Sequence, residues 1–152
     1  YFLEIASELF PQPGPKPKAF GILANGIRSL SQGDHPGETA RRVEAGFLAL
    51  GGWGPRLDGC RKCDRKDDRA FRFLPSEGGV LCRACQPAGG TALSLGAVKT
   101  WRALQAGMGT LGGRLRIQAR IVEELQPVMM EYVAYCLGKT VRSLGVPFPS
   151  PR

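Results

Sequence analysis

Apolar side chains recur along most of the chain at spacings of three and four residues, the pattern of helices that bury one face. Five stretches carry this pattern, and the last of them is the longest. The stretches therefore predict five amphipathic helices. Their apolar positions are Phe2, Leu3, Ala6, Leu9 and Phe10; Phe20, Leu23, Ile27 and Leu30; Ala40, Val43, Phe47 and Leu50; Leu95, Val98, Trp101 and Leu104; and Ile121, Leu125, Val128, Tyr132 and Tyr135.

Residues that start and stop helices flank these stretches. A proline-rich segment, 11–17, separates the first two. Asp34 or His35 can cap the third helix, which has Pro36 in its first turn, and Ser94 can cap the fourth. Gly138 follows the fifth and predicts its end.

The spacing of apolar residues changes between Trp53 and Pro87. Phe71 and Phe73 alternate with Arg72, and a Ser-Glu-Gly-Gly turn leads into Val80, which predicts a hairpin of two short strands. The predicted fold is mainly α: a bundle of about five helices with an inserted β-hairpin. The expected divisions are residues 1–55 and 88–146 for the bundle, 56–87 for the insertion, and 147–152 for a frayed tail.

Two cysteine pairs flank the predicted hairpin. Two residues lie between Cys60 and Cys63 and two between Cys82 and Cys85, and eighteen residues separate the pairs. This spacing is typical of a four-cysteine zinc ribbon, in which each pair forms a tight knuckle and the hairpin brings four sulfurs together. Four thiolates leave no open coordination position, so one structural Zn²⁺ per chain is predicted.

The alternatives to zinc are a disulfide pair or four free thiols. A catalytic dithiol is disfavoured because no strand–helix unit follows either pair. The fifth cysteine, Cys136, lies on the apolar stripe of the last helix, and we expect it to be buried and unmetallated.

No catalytic constellation emerges. His35 is the single histidine, and helix capping explains it. The acidic cluster Asp64, Asp67 and Asp68 alternates with basic residues, which is typical of a solvated loop. No phosphate-binding glycine loop is found. The sequence predicts a protein that is not an enzyme and has no small-molecule substrate.

Charge favours a polyanionic partner. The net charge is +8, from 21 Lys and Arg against 13 Asp and Glu. Residues 1–55 carry five of each sign, residues 56–86 eight basic against five acidic, and residues 87–152 eight against three. No apolar run approaches the roughly 18–20 residues that span a bilayer, so no membrane partner is expected. Because Tyr1 is not Met and no signal peptide follows, we expect a part of a longer protein.

The segment from Gly52 through Pro55 to Cys60, with the later cysteine pairs, resembles the C-terminal part of the bacterial recombination mediator RecO. The resemblance extends from a Tyr-Phe-Leu-Glu start to Leu137-Gly-Lys-Thr-Val-Arg-Ser143. It implies a cytoplasmic, nucleoid-associated protein of DNA repair by the RecF pathway. Such a protein binds single- and double-stranded DNA, anneals strands, contacts RecR and the single-stranded DNA-binding protein, and helps to load RecA. It also implies an N-terminal OB-fold domain, which would precede Tyr1.

Two functions from different classes remain open. In the first, basic residues near the ribbon and before the last helix contact DNA phosphates. In the second, the chain mainly docks proteins, binding an acidic peptide tail in a groove between helices. The predicted DNA contacts are Arg56, Arg61, Lys62, Arg65, Lys66, Arg69, Arg72, Arg83, Arg114, Arg116 and Arg120.

Overall fold

A computed structural model describes residues 1–66, 70–85, 89–107 and 116–145. Within these ranges it contains five α-helices, three short β-strands and two single-turn 3-10 helices at Pro75–Glu77 and Arg142–Gly145. The mainly α fold with a small sheet is confirmed. The elements are α1 (Phe2–Leu9), α2 (Pro17–Ser31), α3 (Pro36–Leu50), β1 (Ala70–Leu74), β2 (Gly79–Cys82), β3 (Thr91–Ser94), α4 (Leu95–Ala106) and α5 (Ala119–Leu137).

Local signals set the helix ends. The His35 ring nitrogen Nδ1 accepts a hydrogen bond from the backbone N–H of Glu38, at 3.4 Å, and caps α3. Ser94 Oγ accepts from the N–H of Ala97, at 3.1 Å, and caps α4. After α5, Gly138 adopts φ +65°, a left-handed conformation that glycine adopts at little cost. The predicted caps are confirmed.

The third helix is the centre of the bundle. It packs against α1, α2, α4 and α5. Its apolar residues Ala40, Val43, Phe47 and Leu48 are fully buried. In the part of the chain that the structure describes, no helix is long and apolar enough to cross a membrane.

The predicted apolar stripe of α2 faces outwards, so that prediction is wrong. Phe20 is 70% exposed, and Ile27 and Leu30 are exposed as well. The helix instead buries Ala19, Ile22 and Gly26, and Ile22 packs against Gly46 of α3. A Cβ at Gly26 would lie only 2.6 Å from Val43 Cγ2, so α2 and α3 are too close for a larger residue there.

The sheet has one strand more than predicted. Its order is β2-β1-β3 with both pairs antiparallel, and Phe71 of β1 lies opposite Cys82 on one side and Leu93 on the other. The strand β3 lies beyond residue 87, where the predicted ribbon ends, and continues directly into α4. Of its four residues only Leu93 is buried, and a single buried residue gives no alternation from which a strand could be predicted.

The sheet shares the core of the bundle. Phe73 is buried, with its ring 4.9 Å from that of Trp101 on α4 and 5.0 Å from that of Tyr132 on α5. The ribbon is therefore anchored to the helices by aromatic packing. The predicted tail 147–152 lies outside the described residues.

Candidate metal centre and nucleic-acid surface

Both cysteine pairs form tight turns beside β2. In the first, the N–H of Asp64 donates to the carbonyl of Cys60, at 2.9 Å, and the N–H of Arg61 donates to the carbonyl of Val80, at 2.8 Å. In the second, the N–H of Cys85 donates to the carbonyl of Cys82, at 3.0 Å. Cys82 is the last residue of β2, and the first turn is hydrogen-bonded to the same strand at Val80. Both turns therefore lie beside β2.

The four sulfurs converge. The Sγ atoms of Cys60, Cys63, Cys82 and Cys85 all lie within 4.8 Å of one another, and those of Cys63 and Cys82 are 3.6 Å apart. A tetrahedral zinc ion with bonds of about 2.3 Å requires sulfurs about 3.8 Å apart. All five cysteines of the chain are free thiols. The cluster predicted from the spacing can therefore hold a metal ion.

The surroundings of Cys60 favour a thiolate. Burial raises the pKa of its thiol, but backbone N–H groups of Cys82, Cys63 and Lys62 point at the sulfur and lower the pKa to about 6. In contrast, the Cys85 thiol donates hydrogen bonds to the sulfurs of Cys63 and Cys82, which favours its protonated form and raises its pKa to about 12. Four crowded sulfurs cannot all ionise without a cation, and a metal ion would supply that charge.

Two of the predicted DNA contacts form ion pairs within the ribbon. The Arg56 guanidinium binds Asp64 and also Asp58, with Nε 3.1 Å from Oδ1. Lys62 Nζ lies 3.3 Å from Glu77 Oε1. These pairs neutralise the basic groups locally and connect the first knuckle to β2 and its turn.

Two arginines bind backbone carbonyls. Arg61 Nε donates to the carbonyl of Glu77, at 3.2 Å, and keeps its charge without a carboxylate partner among the described residues. Arg72 Nη1 donates to the carbonyls of Gly89, at 3.3 Å, and Gly90, which secures the segment leading into β3. Arg72 is therefore a structural residue of the sheet as well as a candidate contact.

The remaining predicted contacts fall into two regions. Arg65, Lys66 and Arg83 are exposed beside the cysteine cluster. Arg116 and Arg120 are exposed at the start of α5. Arg69 and Arg114 lie outside the described residues.

Arg116 also lines a polar cavity of about 270 Å³ at the N-terminus of α3. Arg42 lines the same cavity and was missed by sequence reasoning, although its spacing from Glu38 predicts the observed ion pair. His35 faces this cavity and serves as the helix cap that the sequence indicates.

Sequence reasoning also missed an apolar hollow of about 330 Å³ between α1, α2 and α3. Phe10, Pro17, Ala19 and Leu50 line it, and the two lysines at its edge are Lys16 and Lys18. The proline-rich segment 11–17 gives no sign in its pattern that its last two residues line a hollow.

Cys136 is half-buried, not buried as predicted. Cys136 packs against the core. Burial raises the pKa of its thiol, and a hydrogen bond with Tyr132 partly offsets that effect. It does not belong to the four-sulfur cluster.

Comparisons with known proteins agree on one family. Residues 1–145 match the family model described as "Recombination protein O C terminal". Proteins named "DNA repair protein RecO" align with about 95% of the chain: 34% identity over 148 residues in Moorella thermoacetica, 32% over 148 in Roseiflexus sp. strain RS-1, and 27% over 146 in Dehalococcoides mccartyi strain BAV1. The alignments cover 94–95% of this chain but 55%, 52% and 58% of those relatives, so the chain spans about half their length. No solved structure matched the chain.

Proposed function

Because the chain belongs to the RecO family, we propose that it serves DNA repair and recombination as a non-catalytic, DNA-binding domain built on a structural zinc centre. The observation that carries this proposal is the family match over residues 1–145. The sulfur cluster and the basic surface beside it support the same function.

Zinc is the metal that the donor set favours. Four cysteine thiolates form a soft, tetrahedral site without an open position, the arrangement of structural zinc. Cys60, Cys63, Cys82 and Cys85 would hold the ion. A bound Zn²⁺ would neutralise part of the thiolate charge and connect the two knuckles.

The basic residues next to this centre differ in their availability to DNA. Within the described ranges, Arg65 and Lys66 are exposed and form no ion pair within 4.0 Å, and Arg61 binds only a carbonyl. These three are the strongest candidates for phosphate contacts. Arg56 and Lys62 would first have to exchange a carboxylate for a phosphate, which reduces the gain.

The finer role that we assign follows from the family relationship. The intact protein would bind single- and double-stranded DNA, contact RecR and the single-stranded DNA-binding protein, and promote strand annealing and RecA loading. Its location would be the cytoplasm, in association with the nucleoid. The domain would contribute phosphate contacts and a fixed docking frame, and no bond-making chemistry.

The test reverses three charges that lie between the two cysteine pairs in the sequence: Arg65→Glu, Lys66→Glu and Arg69→Glu in one variant. Each lost contact to single strands flattens the slope of log affinity against log salt by about 0.7, so we expect a change of up to about 2. The matched control reverses three charges on α2: Lys16→Glu, Lys18→Glu and Arg28→Glu. Equal slopes for the parent chain and the first variant, at equal zinc content, would contradict the proposal.

A second candidate function is protein docking, which the apolar hollow favours. Its walls are apolar and its lysines suit the carboxylates of an acidic peptide. The α2 variant that serves as control above tests this function. Loss of binding to an acidic, apolar-ended peptide, with DNA binding retained, would favour docking at this site.

A further inference from the structure

Four aromatic rings form a continuous cluster from the sheet to the surface. Phe73, Trp101 and Tyr132 pack together in the core, with ring centroids 4.9 to 6.1 Å apart. Tyr132 then contacts Tyr135, one turn further along α5. Sequence reasoning placed Tyr135 on the buried stripe of α5, but its side chain is 54% exposed, so that expectation is wrong.

Tyr135 presents a supported aromatic surface to solvent. Its ring is nearly parallel to that of Tyr132, with an interplanar angle of 10° and a centroid distance of 6.5 Å. Tyr132 is only 5% exposed and is held by Phe73 and Trp101. The orientation of the outer ring is therefore supported from the core, and binding a planar ligand would cost little additional ordering.

The tyrosine pair lies beside the ribbon. The Tyr132 hydroxyl is 3.7 Å from the position that a Cβ on Gly78 would take. Arg61, whose Nε donates to the neighbouring carbonyl of Glu77, also acts on Tyr132. Burial raises the pKa of Tyr132, Cys136 and to a lesser extent Tyr135 add to that effect, and the positive charge of Arg61 opposes it. The inner ring of the pair therefore lies beside the turn that Arg61 binds, and both Tyr135 and Arg61 are exposed.

We propose that Tyr135 stacks on an unpaired base of single-stranded DNA while Arg61 contacts a neighbouring phosphate. This inference rests on the proposed DNA-binding function. Binding of single strands commonly combines a basic track with aromatic rings that stack on bases. Bases within a duplex already stack on both faces, so the Tyr135 contact is specific to unpaired bases. This specificity distinguishes it from the phosphate contacts of Arg65 and Lys66.

The experiment measures the affinity of the chain for a fluorescein-labelled thymidine homopolymer and for a labelled duplex. We expect Tyr135→Ala to weaken binding to the single strand by about 5- to 160-fold, the range for loss of one stacked base. Tyr135→Phe should retain the parent affinity because it keeps the ring. Phe20→Ala, which removes a still more exposed ring from α2, is the control and should bind like the parent chain.

The outcomes distinguish failure of the stacking contact from failure of the proposed DNA-binding function. Binding of the parent chain to single strands with equal affinity for Tyr135→Ala would overturn the stacking contact and leave the DNA-binding function standing. Equal losses on single strands and duplex would also overturn it, as would a Tyr135→Phe variant as weak as Tyr135→Ala. A parent chain that binds neither DNA would refute the proposed function and this inference together.

Discussion

The ion pair inside α3 predicts a large and specific dependence of stability on two residues. Arg41 Nη2 lies 2.6 Å from Glu44 Oε1, and both side chains are fully buried. The Tyr1 hydroxyl donates to the same carboxylate. Among the described residues, Arg41 Nε and Nη1 and Glu44 Oε2 have no hydrogen-bond partner. The pair is thus buried and only partly satisfied.

Removing the charge of one residue of the ion pair should lower the free energy of unfolding more than removing both charges. Glu44→Gln keeps the volume but leaves the Arg41 charge without its counterion, so we expect a loss of about 3–5 kcal/mol in the free energy of unfolding. For a chain of this size each kcal/mol lowers Tm by about 2–4 °C. The expected decrease is therefore about 6–20 °C.

The triple variant Tyr1→Phe, Arg41→Met and Glu44→Leu removes the charges and the hydroxyl together. Replacement of a buried ion pair by apolar residues of similar volume is often neutral or stabilising by about 1–4 kcal/mol. We expect this variant to be at least as stable as the parent chain. Urea unfolding followed by circular dichroism measures all three proteins.

Two results would refute this reasoning. A triple variant as unstable as Glu44→Gln would show that the loss comes from packing. A loss below about 1 kcal/mol for Glu44→Gln would show that Glu44 is protonated in the fold, since a neutral carboxyl is replaced by an amide at little cost. Burial acts in that direction by raising the pKa of Glu44, while Arg41 and Tyr1 oppose it.

Two further predictions concern the metal and pH. Metal chelation should expose the knuckle at 60–66 to hydrogen exchange while β1 stays protected, because Phe73 holds that strand in the core; equal loss of protection in β1 would contradict this. Glu4 has a pKa lowered to about 2, because it accepts hydrogen bonds from the Ser143 hydroxyl and from the N–H groups of Ser143 and Arg142. A lowered pKa stabilises the fold above the ordinary value of 4.5, and this contribution is lost as pH falls from about 4.5 to 2. Glu4→Gln should remove that part of the pH dependence of unfolding, and an unchanged pH profile would show that Glu4 does not stabilise the folded state.

Local chemistry explains what sequence predicts well in this protein. A cap such as Ser94 needs only its neighbours, and a knuckle needs only two cysteines at the right spacing. The starts of α3 and α4 and each cysteine knuckle therefore follow from short stretches of sequence, whereas the cluster of four sulfurs also needs the hairpin between the two pairs.

The face that a helix buries depends on its neighbour. On α2, the large residues Phe20 and Ile27 are exposed, whereas Ala19, Ile22 and Gly26 are buried. The close approach of α2 to α3 requires a small residue at Gly26, and a periodicity that counts only large apolar residues does not include glycine or alanine. Tyr135 is exposed for a related reason. The apolar stripe of α5 extends to Tyr135, but the neighbouring elements do not cover that residue.

The third strand required tertiary information. Thr91–Ser94 offers one buried residue, so its strand character comes from hydrogen bonding to β1. Once it is paired, β1 becomes the central strand and Phe73 is enclosed by the bundle. The position of the metal centre relative to the helices follows from this strand, which the cysteine spacing alone does not indicate.

The net charge overstates how much of the ribbon is available to DNA. Of its described basic residues, Arg56 and Lys62 form ion pairs, and Arg72 holds the segment before β3. Counterions are released only where a phosphate replaces them, so residues already paired with carboxylates contribute little to the salt dependence. Arg61, Arg65 and Lys66 would together give a slope of about −2 on single strands. A much steeper slope would require contacts elsewhere, and the basic start of α5 is the next surface to test.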